Sequence, residues 1–124
     1  MTQPLALVFY ERVLPGSQLV NRLQDLNYRV QSINERGALT ETAAQAKPML
    51  VLVDLQPGGM EVCEAVARLK QEPKTKHLPV IAFGAEENPK LQEAAKAAGV
   101  TLIVSQTALL AHLPQFLEQA LQVD

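Results

Sequence analysis

Hydrophobic positions fall into five short clusters, separated by longer stretches in which they recur every three or four residues. Leu5-Ala6-Leu7-Val8-Phe9-Tyr10, Met49-Leu50-Val51-Leu52-Val53, Pro79-Val80-Ile81-Ala82-Phe83 and Thr101-Leu102-Ile103-Val104 are near-continuous apolar runs. Runs of this length without alternation predict strands buried on both faces. Tyr28-Arg29-Val30-Gln31-Ser32-Ile33 is weaker and alternates, which predicts a strand nearer the edge of a sheet.

The intervening segments carry helical stripes. Leu19, Val20, Leu23 and Leu26 form the first, opened by Pro15-Gly16-Ser17. Leu39, Thr42, Ala43 and Ala46 form a thinner one, closed by Lys47-Pro48. Val62, Val66 and Leu69 form a third. Leu91, Ala94, Ala95 and Ala98 form a fourth, with Asn88 as N-cap, Pro89 at the first helical position and Gly99 as C-cap. Leu110, Leu113, Leu117 and Leu121 form the last, where Pro114 either sits in the first turn or bends the helix.

Strands alternating with helices imply βαβ units, a parallel sheet and right-handed crossovers. The expected architecture is a three-layer α/β sandwich over residues 1–124, with five strands in the flavodoxin-like order 2-1-3-4-5. In such folds ligands sit at the carboxyl ends of the strands. Here those ends carry Tyr10-Glu11, Asp54, Gly84 and Ser105-Gln106.

Composition narrows the function classes. The 124 residues suit one domain, and 48% hydrophobic content supports a packed core. A net charge of −2 gives no reason to expect nucleic acid or an anionic membrane as partner. No apolar run approaches the roughly 18 residues of a membrane span. Cys63 is the single cysteine, so no internal disulfide can form, and a reducing, cytoplasmic compartment is expected.

Three stretches together resemble the CheY-like receiver domains of two-component response regulators. Leu50-Val51-Leu52-Val53-Asp54-Leu55 resembles the strand that ends in the phospho-accepting aspartate. Glu72 through Ala82 resembles the family's third-helix to fourth-strand connection, and Ala94 through Val100 the end of its fourth helix. The family's chemistry uses an acidic pair that holds Mg²⁺, the acceptor aspartate, a Ser or Thr after the fourth strand and a Lys after the fifth. Tyr10 and Glu11 occupy the acidic pair, Asp54 the acceptor, Gly84 the hydroxyl position and Gln106 the lysine position. Thr107 replaces the usual following proline, and Ile103 the aromatic residue that rotates in the switch. After the acceptor, Pro57 is displaced and Val62 stands where glycine is usual. Lys90, the nearest cation in the fourth segment, points away from the site by its place at a helix start.

A phenol in place of a carboxylate removes charge from a metal site, and phosphoryl transfer depends on charge stabilisation. Losing the lysine removes a charge-assisted contact to phosphate. The resemblance therefore implies a degenerate receiver: a non-enzymatic protein-interaction module, independent of phosphorylation, without cofactor. Glu11 and Asp54 are weak metal candidates. The alternative is a single-domain response regulator that binds Mg²⁺ and accepts phosphate on Asp54. A flavodoxin-like enzyme or ligand-binding domain lacks a nucleophile and base. The family's usual docking face maps to Leu91 to Gly99, Thr101 to Val104 and Leu110 to Leu121, for a protein partner or a second copy. Cys63 reads as a small buried hydrophobe, His77 and His112 as surface histidines, Pro57-Gly58-Gly59 as a plain βα loop, and Lys70 to Lys76 as a solvated turn.

Overall fold

A computed structural model describes residues 4–56 and 58–122, with Val13, Leu14, Pro15, Arg36 and Gln122 described by their backbone alone. The expectations for Pro57 lie outside the described residues. The chain runs β1 (Leu5–Phe9), α1 (Val13–Asp25), β2 (Arg29–Ile33), a short 3₁₀ turn (Arg36–Ala38), α2 (Leu39–Ala46), β3 (Leu50–Asp54), α3 (Gly59–Gln71), β4 (Val80–Phe83), α4 (Pro89–Ala98), β5 (Leu102–Val104), α5 (Gln106–Ala111) and α6 (Leu113–Gln122). All neighbouring strands are parallel, and their order is β2-β1-β3-β4-β5. The sheet is the one the alternation of apolar runs and helical stripes predicts.

Its two faces are built by strand alternation, because successive side chains point to opposite sides. Leu7, Phe9, Val51, Val53, Val80 and Ala82 meet α2, α3 and α4 through Leu39, Ala43, Val62, Val66, Leu69, Leu91 and Ala95. Ala6, Val8, Leu50, Leu52, Ile81 and Phe83 meet α1, α5 and α6 through Leu19, Leu23, Leu109, Leu113, Leu117 and Ala120. β2 is an edge strand, as its sequence implies, with Val30 and Ile33 half-buried and Arg29, Gln31 and Ser32 exposed. β5 is the other edge, and Leu102, Ile103 and Val104 are only half-buried. Its apolar run predicts burial on both faces, and its place at the edge, which the expected strand order assigns it, leaves it half-buried.

Local signals hold the helix ends. Asn88 Oδ1 accepts the Leu91 N–H at 3.1 Å, Pro89 opens α4, and Gly99 closes it at φ 101°. α1 begins at Val13, two residues before the proline that opens the stripe, so Pro15 lies in the first turn, where its missing N–H breaks no helical bond. The expected single last helix is two. α5 ends at Ala111 with His112 as its C-cap, and α6 starts at Leu113 with Pro114 in its first turn. The expected solvated turn after α3 is partly internal. Thr75 is buried and donates its hydroxyl to the Leu69 carbonyl at 2.6 Å. Lys70 donates to the Leu78 carbonyl, and partial burial pushes its ammonium pKa down.

In-register pairing brings the strand ends level. Phe9 stands beside Val53, Asp54 beside Phe83, and Phe83 beside Val104. The residues that follow each strand therefore open onto one edge.

Cys63 is buried in the α3 layer, and burial pushes its thiol pKa up. Thiolate is the reactive form, so both access and ionisation are suppressed. A disulfide-exchange reagent at pH 8 is expected to label Cys63 at once in denaturant. In the native protein labelling should proceed only as fast as opening of the core.

Candidate functional site

Asp54 continues the Leu50, Leu52 series, so its carboxylate leaves the sheet on the α1 side. Arg12 is the residue that leads into α1. The two meet. Arg12 Nε donates to Asp54 Oδ2 at 2.9 Å and Arg12 Nη2 to Asp54 Oδ1 at 2.9 Å. This is the bidentate fork that a guanidinium forms best with a carboxylate. The Gln56 backbone N–H adds a third bond to Oδ1 at 3.1 Å. Asp54 has no exposed surface, whereas the Arg12 side chain is 31% exposed.

The neighbouring strand ends are shaped around this pair. Arg12 Nη2 also lies 3.4 Å from Gln106 Oε1, at the first residue of α5. The Gln56 side-chain amide donates to the Gly84 carbonyl, which ties the loop after β3 to the loop after β4. Gly84 has φ 92°, in the left-handed region. A Cβ there would stand 2.6 Å from Asp54 Oδ1 and 3.4 Å from Arg12 Nη2. Gly84 is thus more than a missing hydroxyl. Its backbone conformation disfavours any side chain, and the space a side chain would take belongs to the ion pair.

The sequence-derived candidates separate into those at the pair and those elsewhere. Asp54, Gly84 and Gln106 gather around the guanidinium. The Tyr10 ring lies on Gly16 of α1, where an added Cβ would fall 2.1 Å from Tyr10 Cδ2, and packs with the α1-side core, the side on which Asp54 also leaves the sheet. Glu11 is half-buried beside Arg12 in the chain. Ile103 is half-buried against the α4-side core. Thr107, His77 and His112 are exposed, and Lys90 lies exposed in α4.

Arg12 is the residue that sequence reasoning missed. The receiver pattern assigns no role to the position after the acidic pair, so no motif marks it. A charge argument does. An acceptor aspartate with neither lysine nor acidic-pair metal needs another cation, and Arg12 and Arg36 each stand three residues after a strand that ends on that edge, Arg12 after the strand next to β3.

The Mg²⁺ implied by the receiver resemblance does not fit these residues. Asp54 already accepts from three donors, one of them a cation. Tyr10 is committed to the α1 layer. Among the described residues no group of three His, Cys, Asp or Glu side chains gathers to hold a metal.

No family model and no curated protein matches this sequence. Solved structures match its fold. The receiver domain of a sensor histidine kinase from Pseudomonas aeruginosa, with a magnesium ion coordinated in its active-site cleft, superposes with a TM-score of 0.87 at 16% identity, over 98% of this chain and 100% of that one. The chemotaxis response regulator CheY4 of Vibrio cholerae gives 0.83 at 19% identity, over 96% and 99%. The signal receiver domain of a modulated diguanylate cyclase from Desulfovibrio desulfuricans gives 0.81 at 21% identity, over 97% and 94%. The fold of this chain is the CheY-like, flavodoxin-like fold of receiver domains.

Replacing Gly84 by the hydroxyl residue usual in receivers tests the fit. Gly84→Thr is expected to lower stability by about 2–4 kcal/mol, through the left-handed backbone and the displaced ion pair. Urea unfolding measures the loss. Stability unchanged within about 0.5 kcal/mol would contradict the packing described.

Proposed function

We propose that this protein is a receiver-fold module of signal transduction that works by binding a protein partner, without aspartyl phosphorylation. One observation carries the reading: the acceptor-position carboxylate of Asp54 is buried under its own arginine. Attack on a phosphodonor needs a free carboxylate oxygen and a metal to orient the donor. Here the oxygens are held by a guanidinium fork and the metal position is taken by positive charge.

The output step of the usual switch also lacks its parts. The fourth-strand residue that would follow a phosphate has no side chain, and Ile103 has no ring to swing inward. A modification shifts a conformational equilibrium only by its differential interaction with the two states. With Gly84 and Ile103 at the switch positions, that difference is small. No helix among the described residues is long and apolar enough to cross a membrane. The half-exposed Leu102, Ile103 and Val104 of β5 support a docking face made with Leu91 to Gly99 and Leu110 to Leu121. A protein partner or a second copy of the chain is the expected occupant.

Incubation with acetyl phosphate and Mg²⁺, followed by intact mass, is expected to show no phosphoryl adduct on the wild type. A partner captured from native lysate should bind Asp54→Asn within about twofold of wild type, a difference under 0.5 kcal/mol. A phosphoryl adduct, with partner affinity that changes on phosphorylation and no longer does in Asp54→Asn, would establish the phosphorylatable alternative instead.

A further inference from the structure

We propose that a cavity at the amino edge of the sheet, at the opposite end of the strands from Asp54, binds a small phosphate monoester with an apolar body. The site is separate from the Asp54 cleft, and the proposal does not rest on the reading of that cleft as silent.

The first argument is the lining. The cavity lies where the chain enters β3 and β4, between the end of α2 and the loop after α3. Its volume is about 550 Å³, a size common for small-molecule sites. Lys47, Lys74 and His77 line it, and among the described residues no acid does. The remaining wall is apolar and includes Ala43, Pro48 and Leu78. Glu41 and Glu72 line the neighbouring groove between α2 and α3, which Lys74 also borders. Among the described residues the side chains of Lys47, Lys74 and His77 make no hydrogen bond or ion pair. A chain of net charge −2 thus gathers uncompensated positive charge on one concave surface.

The second argument is the backbone at Lys47. This residue closes α2 at φ 54° and ψ 56°, in the left-handed region, and Pro48 follows it. A left-handed helix end favours glycine, and a residue before proline favours extended backbone. Lys47 meets neither preference. The helix dipole favours a cation at the end of α2, but Lys74 and His77 lie in a loop beyond α3, past the last turn in which a dipole acts.

Both walls are already fixed. Thr75, between Lys74 and His77, is buried and donates its hydroxyl to the Leu69 carbonyl. The Val51 N–H donates to the Pro79 carbonyl at 2.9 Å, which joins the entries of β3 and β4. A site with its parts in place loses little entropy on binding. The charges select the ligand. A lysine ammonium is a compact point charge that suits phosphate without the planar fit of a guanidinium. His77 adds a ring nitrogen, and the apolar wall covers an apolar body.

Titration of the full chain with phenyl phosphate at matched ionic strength, followed by amide NMR shifts, tests the proposal. The ester is expected to bind with a Kd below about 1 mM and to move the amides of Lys47, Lys74 and His77. Those of Arg12 and Gln106 should stay in place. Lys47→Gln combined with Lys74→Gln should weaken binding about tenfold. Lys90→Gln combined with Lys96→Gln, which removes the same charge from α4, should not. Lys47→Gly relieves the left-handed backbone, so it should weaken binding without lowering the thermal unfolding midpoint. A lower midpoint would mean that Lys47 serves the fold, and would overturn the proposal. No shift at the three amides at about 10 mM ester, or full affinity in the Lys47 and Lys74 double variant, overturns it as well. Inorganic phosphate bound as tightly as the ester removes the apolar body from the argument and overturns the ligand class. A hexaglutamate peptide bound more tightly than the ester does the same, because the occupant would then be an acidic chain. A phosphoryl adduct on Asp54 would sink the silent reading without touching these responses.

Discussion

A carboxylate with no exposed surface cannot stand alone in a protein interior, and at the carboxyl edge of this sheet its partner is a guanidinium supplied by the chain itself. The other features of the edge follow from that pairing. Asp54 is placed by β3, a strand buried along its whole length, and cannot move to water without disturbing the core. Arg12 is placed by the entry to α1. The bidentate fork fixes the distance between the two elements, and Gln56, Gly84 and Gln106 then fit around the pair.

The pair is better understood as a constraint than as a source of stability. Two ions taken from water lose hydration that their mutual attraction only partly restores, so an apolar replacement of both would cost little. Removing one partner is different, because the other is left as an uncompensated charge. That asymmetry couples Arg12 and Asp54. It also accounts for the character of the surrounding positions. A small residue at 84 makes room, and an amide at 106 accepts a hydrogen bond from the guanidinium without adding positive charge.

The contrast with solved receiver domains lies in the origin of the positive charge. The sensor kinase receiver from Pseudomonas aeruginosa has a magnesium ion coordinated in its cleft. A diffusible ion can leave, and its site can respond to concentration and to a new phosphate. A tethered guanidinium cannot leave.

The architecture was legible in the sequence because it depends on local periodicity. The near-continuous runs at Leu50 to Val53 and Val80 to Phe83, and the Asn88, Pro89 and Gly99 signals of α4, report burial and helix ends directly. The convergence of Asp54, Gly84 and Gln106 on one edge also follows, since each ends or follows a parallel strand. Where the pattern was silent, the cause was non-local. Arg12 carries no motif, and an arginine after a strand is ordinarily a solvated side chain. Its role arises because the packing of α1 against β3 carries its guanidinium across 42 residues of sequence to a carboxylate that water cannot reach. Sequence alone determined which elements form and in what order they pair. The tertiary structure decided which charge neutralises Asp54, because that depends on distance and burial rather than on spacing along the chain.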